Sequence, residues 1–518
     1  MYSFRTILFL VQVSVIFSIP SITNNLTAYF SIHGDQTAQV ILGIGFEIQS
    51  DSIGSGNHGL PDVNTSVPWD LVPTERQRFY SSMLYGFRYC RLALGLYFRG
   101  LTNNNQNIVE RWPGQAAVLA EMATEAKLEG FAVEYWSPPP GWKSTNSYID
   151  GTLVSFDDST LSAFGAAVTE DALYLESQNI SVVWWGLQNE PPVGPSGCIY
   201  SCCGYNSEQY YQAFNYSAPL IRAALPNASI HVSSWSGPYY SPQLSNDPNT
   251  LQYVDIWTYH YVGADSDVMI QKQNYLNNFT HNRPVLNNEF EYLDDQTSAE
   301  RTINTAQSIM NWMVFENSPT WYWLHALKPL INAEADGYSL GFWNPIINSS
   351  TKTTLPPGYW DYNYDNYNAI AGFIKYLPWD SVRINVTEDE VRYDVRIMAY
   401  LYNPQKAIWL LEKEGKQREV EKGSTRKVMD GNDHDLRAAA TKLGFVVTNR
   451  MNSTVTNMNI QLEGISNIGN MQFHGHLYTG NITDQDLGIQ IPILNTTNQQ
   501  YYLPLVVEPY SIQFWVQE

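Results

Sequence analysis

The stretch VVWWGLQNEPP, residues 182–192, decides how this chain is read. Val182 to Leu187 are apolar or glycine, as in a strand buried on both faces. Gln188, Asn189 and Glu190 then come together, and Pro191 and Pro192 end the run. No cation lies within the stretch to pair the carboxylate. An isolated Asn-Glu-Pro also serves as a helix or turn cap, so the strand-end carboxylate gains meaning only from its surroundings.

Those surroundings alternate. Ile41–Ile48, Phe87–Leu94, Phe131–Tyr135, Val182–Leu187, Ile230–Ser234, Asp255–Tyr261, Val285–Asn288 and Trp321–Leu324 are strand candidates separated by amphipathic stretches. Leu119, Met122, Ala123 and Ala126 recur at helical spacing, and Gly130 is expected to stop that helix. Leu161, Phe164, Val168, Ala172 and Leu175 repeat the pattern before the quoted strand. Eight β/α alternations predict an α/β chain with a (β/α)8 TIM barrel over residues 36–376. Beyond Tyr376 short β-type runs separated by turn residues predict an all-β sandwich over 377–518, and Leu26–Gly34 is strand-like enough to join it, giving a second domain of 24–35 plus 377–518.

In such barrels chemistry sits at the C-terminal strand ends. Glu190 ends strand four. RPVLNNEFEYLD (283–294) places Glu289 at the end of strand seven, again after an apolar run and two amides. The two strands face one another across the barrel mouth, and two glutamates so placed suit glycoside hydrolysis with retention.

Composition narrows the partners. The formal charge of −21 over 518 residues repels phosphate backbones and makes nucleic acid an unsuitable partner. Aromatic residues make up 14% of the chain, more than packing requires, which predicts a surface that stacks on something flat. Arg5 and the apolar run Ile7–Ile19, followed by small and polar residues, read as a secretory signal over residues 1–23. No later segment reaches membrane-spanning length, so no stable membrane insertion is expected. Sequons at Asn25, Asn64, Asn179, Asn215, Asn227, Asn278, Asn348, Asn385, Asn452, Asn481 and Asn495 suit a secreted or lysosomal-lumen glycoprotein, Asn179 being the least suitable because it abuts the strand. In GCIYSCCGY (197–205) an oxidising compartment predicts a Cys198–Cys202 or Cys198–Cys203 disulfide. Zinc is disfavoured there for want of a nearby histidine or a second cysteine pair. Cys90 reads as a buried thiol, and neither metal nor cofactor is expected.

Taken together, these motifs resemble glycoside hydrolase family 30 along nearly the whole chain. WSPP (136–139) with Trp142, Lys143 and Asn146 resembles the family's strand-three motif, LQNEP its strand-four motif, and VDIWTYHYV (254–262) its strand-six region. RPVLNNE resembles the nucleophile strand, YNAIAGFIKYLPWDSVRI (367–384) the passage into the β-domain, and EPYSIQFWV (508–516) the closing strand. The resemblance implies Glu190 as acid/base and Glu289 as nucleophile, with Arg91 holding the nucleophile ionised and Asn189 on the sugar 2-hydroxyl. Trp136, Trp142 and Trp323 become sugar platforms, and His260 and Tyr261 line the site. Arg88, three residues before Arg91, should point the other way.

The chain departs from the family at GIGFEIQSD (43–51), which brings Glu47 and Asp51 near the site, and at LYFRG (96–100), where the glucosylceramide-cleaving members carry an Asp-Phe pair. The expectation is a secreted retaining β-glycoside hydrolase acting on a β-linked polysaccharide or oligosaccharide. A glycolipid β-glycosidase of the glucosylceramidase type and a carbohydrate-binding protein without turnover are the alternatives.

Overall fold

The computed structural model describes residues 27–48, 71–95, 110, 114–192, 200–235, 241–261, 266–272, 283–291, 298–330, 339–346, 350, 353–407 and 441–518. The expected signal segment, Asp51, the LYFRG stretch, Cys198, most of the β-type run 407–412 and the sequons Asn25, Asn64, Asn278 and Asn348 lie outside them.

The chain enters on a long strand, β1 (Thr27–Ile41). Eight strands then close a parallel barrel: β2 (Gly43–Glu47), β3 (Tyr89–Leu94), β4 (Gly130–Tyr135), β5 (Val182–Gly186), β6 (Ser229–Trp235), β7 (Ile256–His260), β8 (Val285–Phe290) and β9 (Thr320–Trp323). Pairing of Gly43 with Thr320 and of Phe46 with Trp323 completes the circle. The longer outer helices are α1 (Gln115–Glu125), α2 (Asp158–Ser177), α3 (Ser207–Ala224), α4 (Ser298–Phe315) and α5 (Tyr364–Tyr376). α1 ends before Lys127, which takes a φ of +59°, so Gly130 is not its stop: it opens β4, and a Cβ there would lie 2.6 Å from the Ser181 carbonyl oxygen.

Strand alternation sorts the barrel side chains. Tyr89, Ala132, Trp184, Ile256, Leu286 and Tyr322 fill the interior as one apolar cluster. Their neighbours Cys90, Phe131, Trp185, Trp257 and Trp321 join the larger core beneath the helices. Burial is close to complete on both sides, which is why the strands read as continuous apolar runs.

A small sheet of β10 (His325–Pro329), β11 (Ser339–Asn344) and β12 (Tyr359–Tyr362) leads from the barrel into α5. The rest of the chain gives β13 (Ser381–Glu388), β14 (Val395–Tyr402), β15 (Lys442–Asn449), β16 (Val455–Glu463), β17 (Phe473–Thr479), β18 (Ile482–Gln490), β19 (Ile493–Asn495), β20 (Gln500–Val507) and β21 (Ser511–Gln517). With β1 they form one hydrogen-bonded sheet of ten strands, ordered β18-β17-β21-β15-β14-β13-β1-β16-β20-β19. The expected two-layer arrangement is made by folding this single sheet. Gln513 of β21 donates to the Val506 carbonyl of β20 at 3.0 Å, and Phe473, Phe445, Phe30, Ile460 and Leu503 from across the sheet share one core. β1 belongs to this sheet as far as Ile41, pairing with β13 out to Ile41 and with β16 over Thr27–His33, and so runs six residues past the expected end of that segment at residue 35. No described helix is long and apolar enough to cross a membrane.

Candidate active site

At the C-terminal ends of the strands a single guanidinium organises four others. Arg91 of β3 is 1% exposed. Its Nη1 donates to Glu289 at 2.6 Å and to Glu47 at 3.1 Å, and its Nη2 donates to Glu134 and to the Asn189 Oδ1, each at 2.7 Å. Its guanidinium lies 4.3 Å from the centre of the Trp136 ring. The fork ties β2, β4, β5 and β8 together, which only a planar, two-ended cation can do. Arg88 faces away, toward the Leu42 carbonyl, Asp380 and the Trp379 ring.

Glu190 is placed by backbone strain. Its φ of +42° lies in the left-handed region, which costs a non-glycine residue roughly 1–3 kcal/mol and persists only where neighbours enforce it. The enforcing bonds run from the Asn189 N–H to the Tyr135 carbonyl at 2.7 Å and from the Glu190 N–H to the Ser234 carbonyl at 3.0 Å. Through these bonds the adjacent strands grip the turn and aim both side chains into the mouth.

Glu289 is placed by an irregular register. Tyr259 pairs with Asn287, but the next residue, His260, pairs with Glu289, so β8 carries one extra residue. Such a bulge re-aims side chains beside a site. Here it lets two successive residues face inward: Asn288 reaches Glu134 and Ser234 at 3.4 Å, and Glu289 reaches Arg91. Glu291, two residues on, lies instead 3.5 Å from His325.

His260 joins the pair. Its Nδ1 is 2.9 Å from Glu190 and 3.6 Å from Glu289. Burial acts to lower its pKa, but the Glu289 charge and the hydrogen bond and charge of Glu190 outweigh it, so the imidazole is raised above its ordinary value. One ligating atom each from Glu190, His260 and Glu289 lies within 4.8 Å of the others, a grouping that has the donors for a metal ion. Arg91 already supplies Glu289 with a positive charge at 2.6 Å, which disfavours a second cation.

Beneath this layer, Glu134 accepts from Arg91, from the Ser234 hydroxyl and from Asn288. Burial alone would raise its pKa; Arg91, His231 and Ser234 reverse this and hold the carboxyl below the usual range. Glu47 goes the other way: burial, reinforced by the charges of Glu289, Glu291 and Glu134 against that of Arg91, keeps it well above the usual range. His231, lowered to about 4 by burial, fits under the site because Gly186 has no Cβ, which would lie 2.2 Å from the ring. Tyr200 packs near Trp136 and hydrogen-bonds Glu190; burial and the two glutamate charges push its phenol up.

The structure therefore brings Arg91, Trp136, Asn189, Glu190, His260 and Glu289 together, and leaves three expected site residues outside. Trp323 is fully buried, packed on Phe290 and Trp321 with its indole N–H on the His325 carbonyl. It cannot be an open platform, because Tyr322 takes the inward position and alternation turns 323 to the helices. Tyr261 packs edge-on against Trp312 of α4 for the same reason, His260 being the inward residue. Trp142 packs edge-on against Phe164 of α2. Glu134, Ser234 and Tyr200 were not anticipated. A carboxylate one residue from the end of an apolar strand was a readable signal for Glu134; Tyr200 lies on a loop and left none. Near Tyr200, Cys202 is disulfide-bonded while Cys203 and Cys90 are free and buried, which removes the Cys198–Cys203 pairing.

No protein-family model matches the chain, and no curated protein does. Solved structures do. A family 30 subfamily 8 xylanase from Clostridium acetobutylicum superposes with a TM-score of 0.63 at 15% identity, over 94% of this chain and 99% of the other. A family 30 xylanase catalytic domain from Talaromyces cellulolyticus gives 0.62 at 15% identity, over 95% and 100%. An endo-β-1,6-glucanase gives 0.61 at 13% identity, over 94% and 93%. The chain thus has the fold of the family 30 glycoside hydrolases, a TIM barrel with an attached β-domain.

Proposed function

We propose that the protein is a secreted, retaining β-glycoside hydrolase acting on a β-linked polysaccharide or oligosaccharide. One observation carries the reading: Glu190 and Glu289 face each other from β5 and β8 with carboxylate oxygens within 4.8 Å. Retaining enzymes hold their two carboxyls about 5–5.5 Å apart, whereas inverting ones leave about 6.5–9.5 Å for a water. Glu289, steadied by Arg91, attacks the anomeric carbon while Glu190 gives its proton to the departing oxygen. A covalent glycosyl-enzyme results. Glu190, now a carboxylate beside His260, takes a proton from water, which releases the sugar and restores both groups. Asn189, locked by Arg91, is positioned for the 2-hydroxyl, and Trp136 and Tyr200 border the sugar. The xylanases and the β-1,6-glucanase among the structural neighbours support xylan and β-1,6-glucan as the first substrates to try.

The test is stereochemical. Proton NMR of freshly released sugar, read before mutarotation, should show the β-anomer first. An α-anomer as first product would mean inversion and would remove the nucleophile role from Glu289.

A further inference from the structure

The aromatic excess of the chain is not absorbed by the active site: Trp323 is buried in the core and Trp142 packs on Phe164. Part of it lies elsewhere. A groove of about 680 Å³ runs along the outside of the barrel, between the helical segment Pro73–Met83, α5 and the β17–β18 hairpin. That volume falls within the roughly 300–1,000 Å³ of ligand clefts. Five tyrosines line it, and it shares no residue with the catalytic cluster. Tyr362 contacts Tyr364 with ring centres 5.4 Å apart and Tyr367 at 4.4 Å. Tyr364 is 48% exposed, so its ring is not there to fill a seam.

The polar side is fixed in advance. Asp484 accepts from Lys375 at 2.9 Å and from the Tyr376 hydroxyl at 2.7 Å, and His476 lies 3.1 Å away. Flat apolar faces edged by hydroxyls, beside an immobilised carboxylate, match a pyranose ring, which offers an apolar C–H face and a rim of hydroxyls. Little side-chain ordering is left to oppose binding.

We propose that this groove is a second, non-catalytic saccharide-binding site, with Tyr364 as its exposed stacking face. The choice of saccharide over other ligands rests on the glycosidase reading above. The saccharide has two possible sources: a free β-linked chain held alongside the one being cleaved, or the glycan of the Asn481 sequon, a residue that also lines the groove.

Affinity electrophoresis through β-1,4-xylan, β-1,6-glucan and hydroxyethylcellulose tests it, using Glu289→Gln protein so that the matrix survives. At least one polysaccharide should retard the protein. Adding Tyr364→Ala, or Ser82→Trp to fill the groove from its exposed rim, should weaken retention about tenfold, or about 1.4 kcal/mol. Retention in both glycosylated and endoglycosidase-treated protein assigns a free chain; retention only after treatment assigns the Asn481 glycan as the resident ligand. Retention that neither variant changes, or none in any matrix, overturns the proposal. Hydrolysis of an aryl β-glycoside by Tyr364→Ala protein is the separate readout. If it proceeds at the native rate while retention is unaffected, the groove proposal fails alone; if no glycoside is cleaved but retention follows the groove, the catalytic reading fails alone.

Discussion

Replacing Arg91 by lysine keeps the charge and removes the fork, so it isolates geometry from electrostatics. Nη1 serves Glu289 and Glu47, and Nη2 serves Glu134 and Asn189. An ammonium occupies one point and can satisfy one side or the other. Two charge-assisted bonds are lost, at about 1.5–3 kcal/mol each, giving about 3–6 kcal/mol. That is a large part of the roughly 5–15 kcal/mol that holds a domain folded. Arg396 is the internal control: its bonds to both Glu388 oxygens and to the Arg392 carbonyl all come from Nη1. A lysine can reproduce them, so Arg396→Lys should cost only about 1 kcal/mol. Urea unfolding of both variants, with aryl-glycoside kinetics on the folded protein, makes the comparison. Arg91→Lys should unfold at clearly lower urea and lose activity while still folded, because Asn189 or Glu289 is no longer held. Equal unfolding midpoints for the two variants would show that the fork does not hold the site.

Glu289→Gln should lower turnover by four orders of magnitude or more, the scale on which single members of a catalytic unit act, and Glu291→Gln, facing His325, should stay near the native rate; the reverse pattern in steady-state kinetics would move the nucleophile. The raised pKa of Glu47 means that the folded chain keeps a proton which the unfolded chain releases above about 4.3, so stability from this group falls as pH rises toward the folded value. Glu47→Gln cannot titrate, and its melting temperature relative to native protein should improve between about pH 4 and about pH 7; a difference independent of pH would count against it. Cys202→Ser should loosen the loop that carries Tyr200 and lower activity a few-fold, with little change in global unfolding. A fall in melting temperature with full activity on the remaining folded protein would contradict that.

How much of this was legible follows from the range of each signal. The eight barrel strands could be read because burial on both faces leaves an unbroken apolar run, and Glu190 and Glu289 could be read because each ends one. All of these are local patterns, set by what a strand must bury. Arg91 was singled out by the family resemblance alone, because Arg88 lies in the same run. The face each strand-end residue presents was not local. Tyr261 and Trp323 look as suitable as His260 and Tyr322 until the inward parity of their strands is known, and that parity is fixed by pairing with neighbours distant in sequence. The extra residue in β8 breaks the alternation, so counting from Leu286 would have turned Glu289 away from Arg91; only the register against β7 delivers it. Glu134, Ser234 and Tyr200 reach the site because the barrel closes and a loop returns over it. The sequence by itself determined which elements form and where carboxylates end them; the tertiary structure decided which side chains meet, because inward direction depends on strand register and barrel closure rather than on residue type.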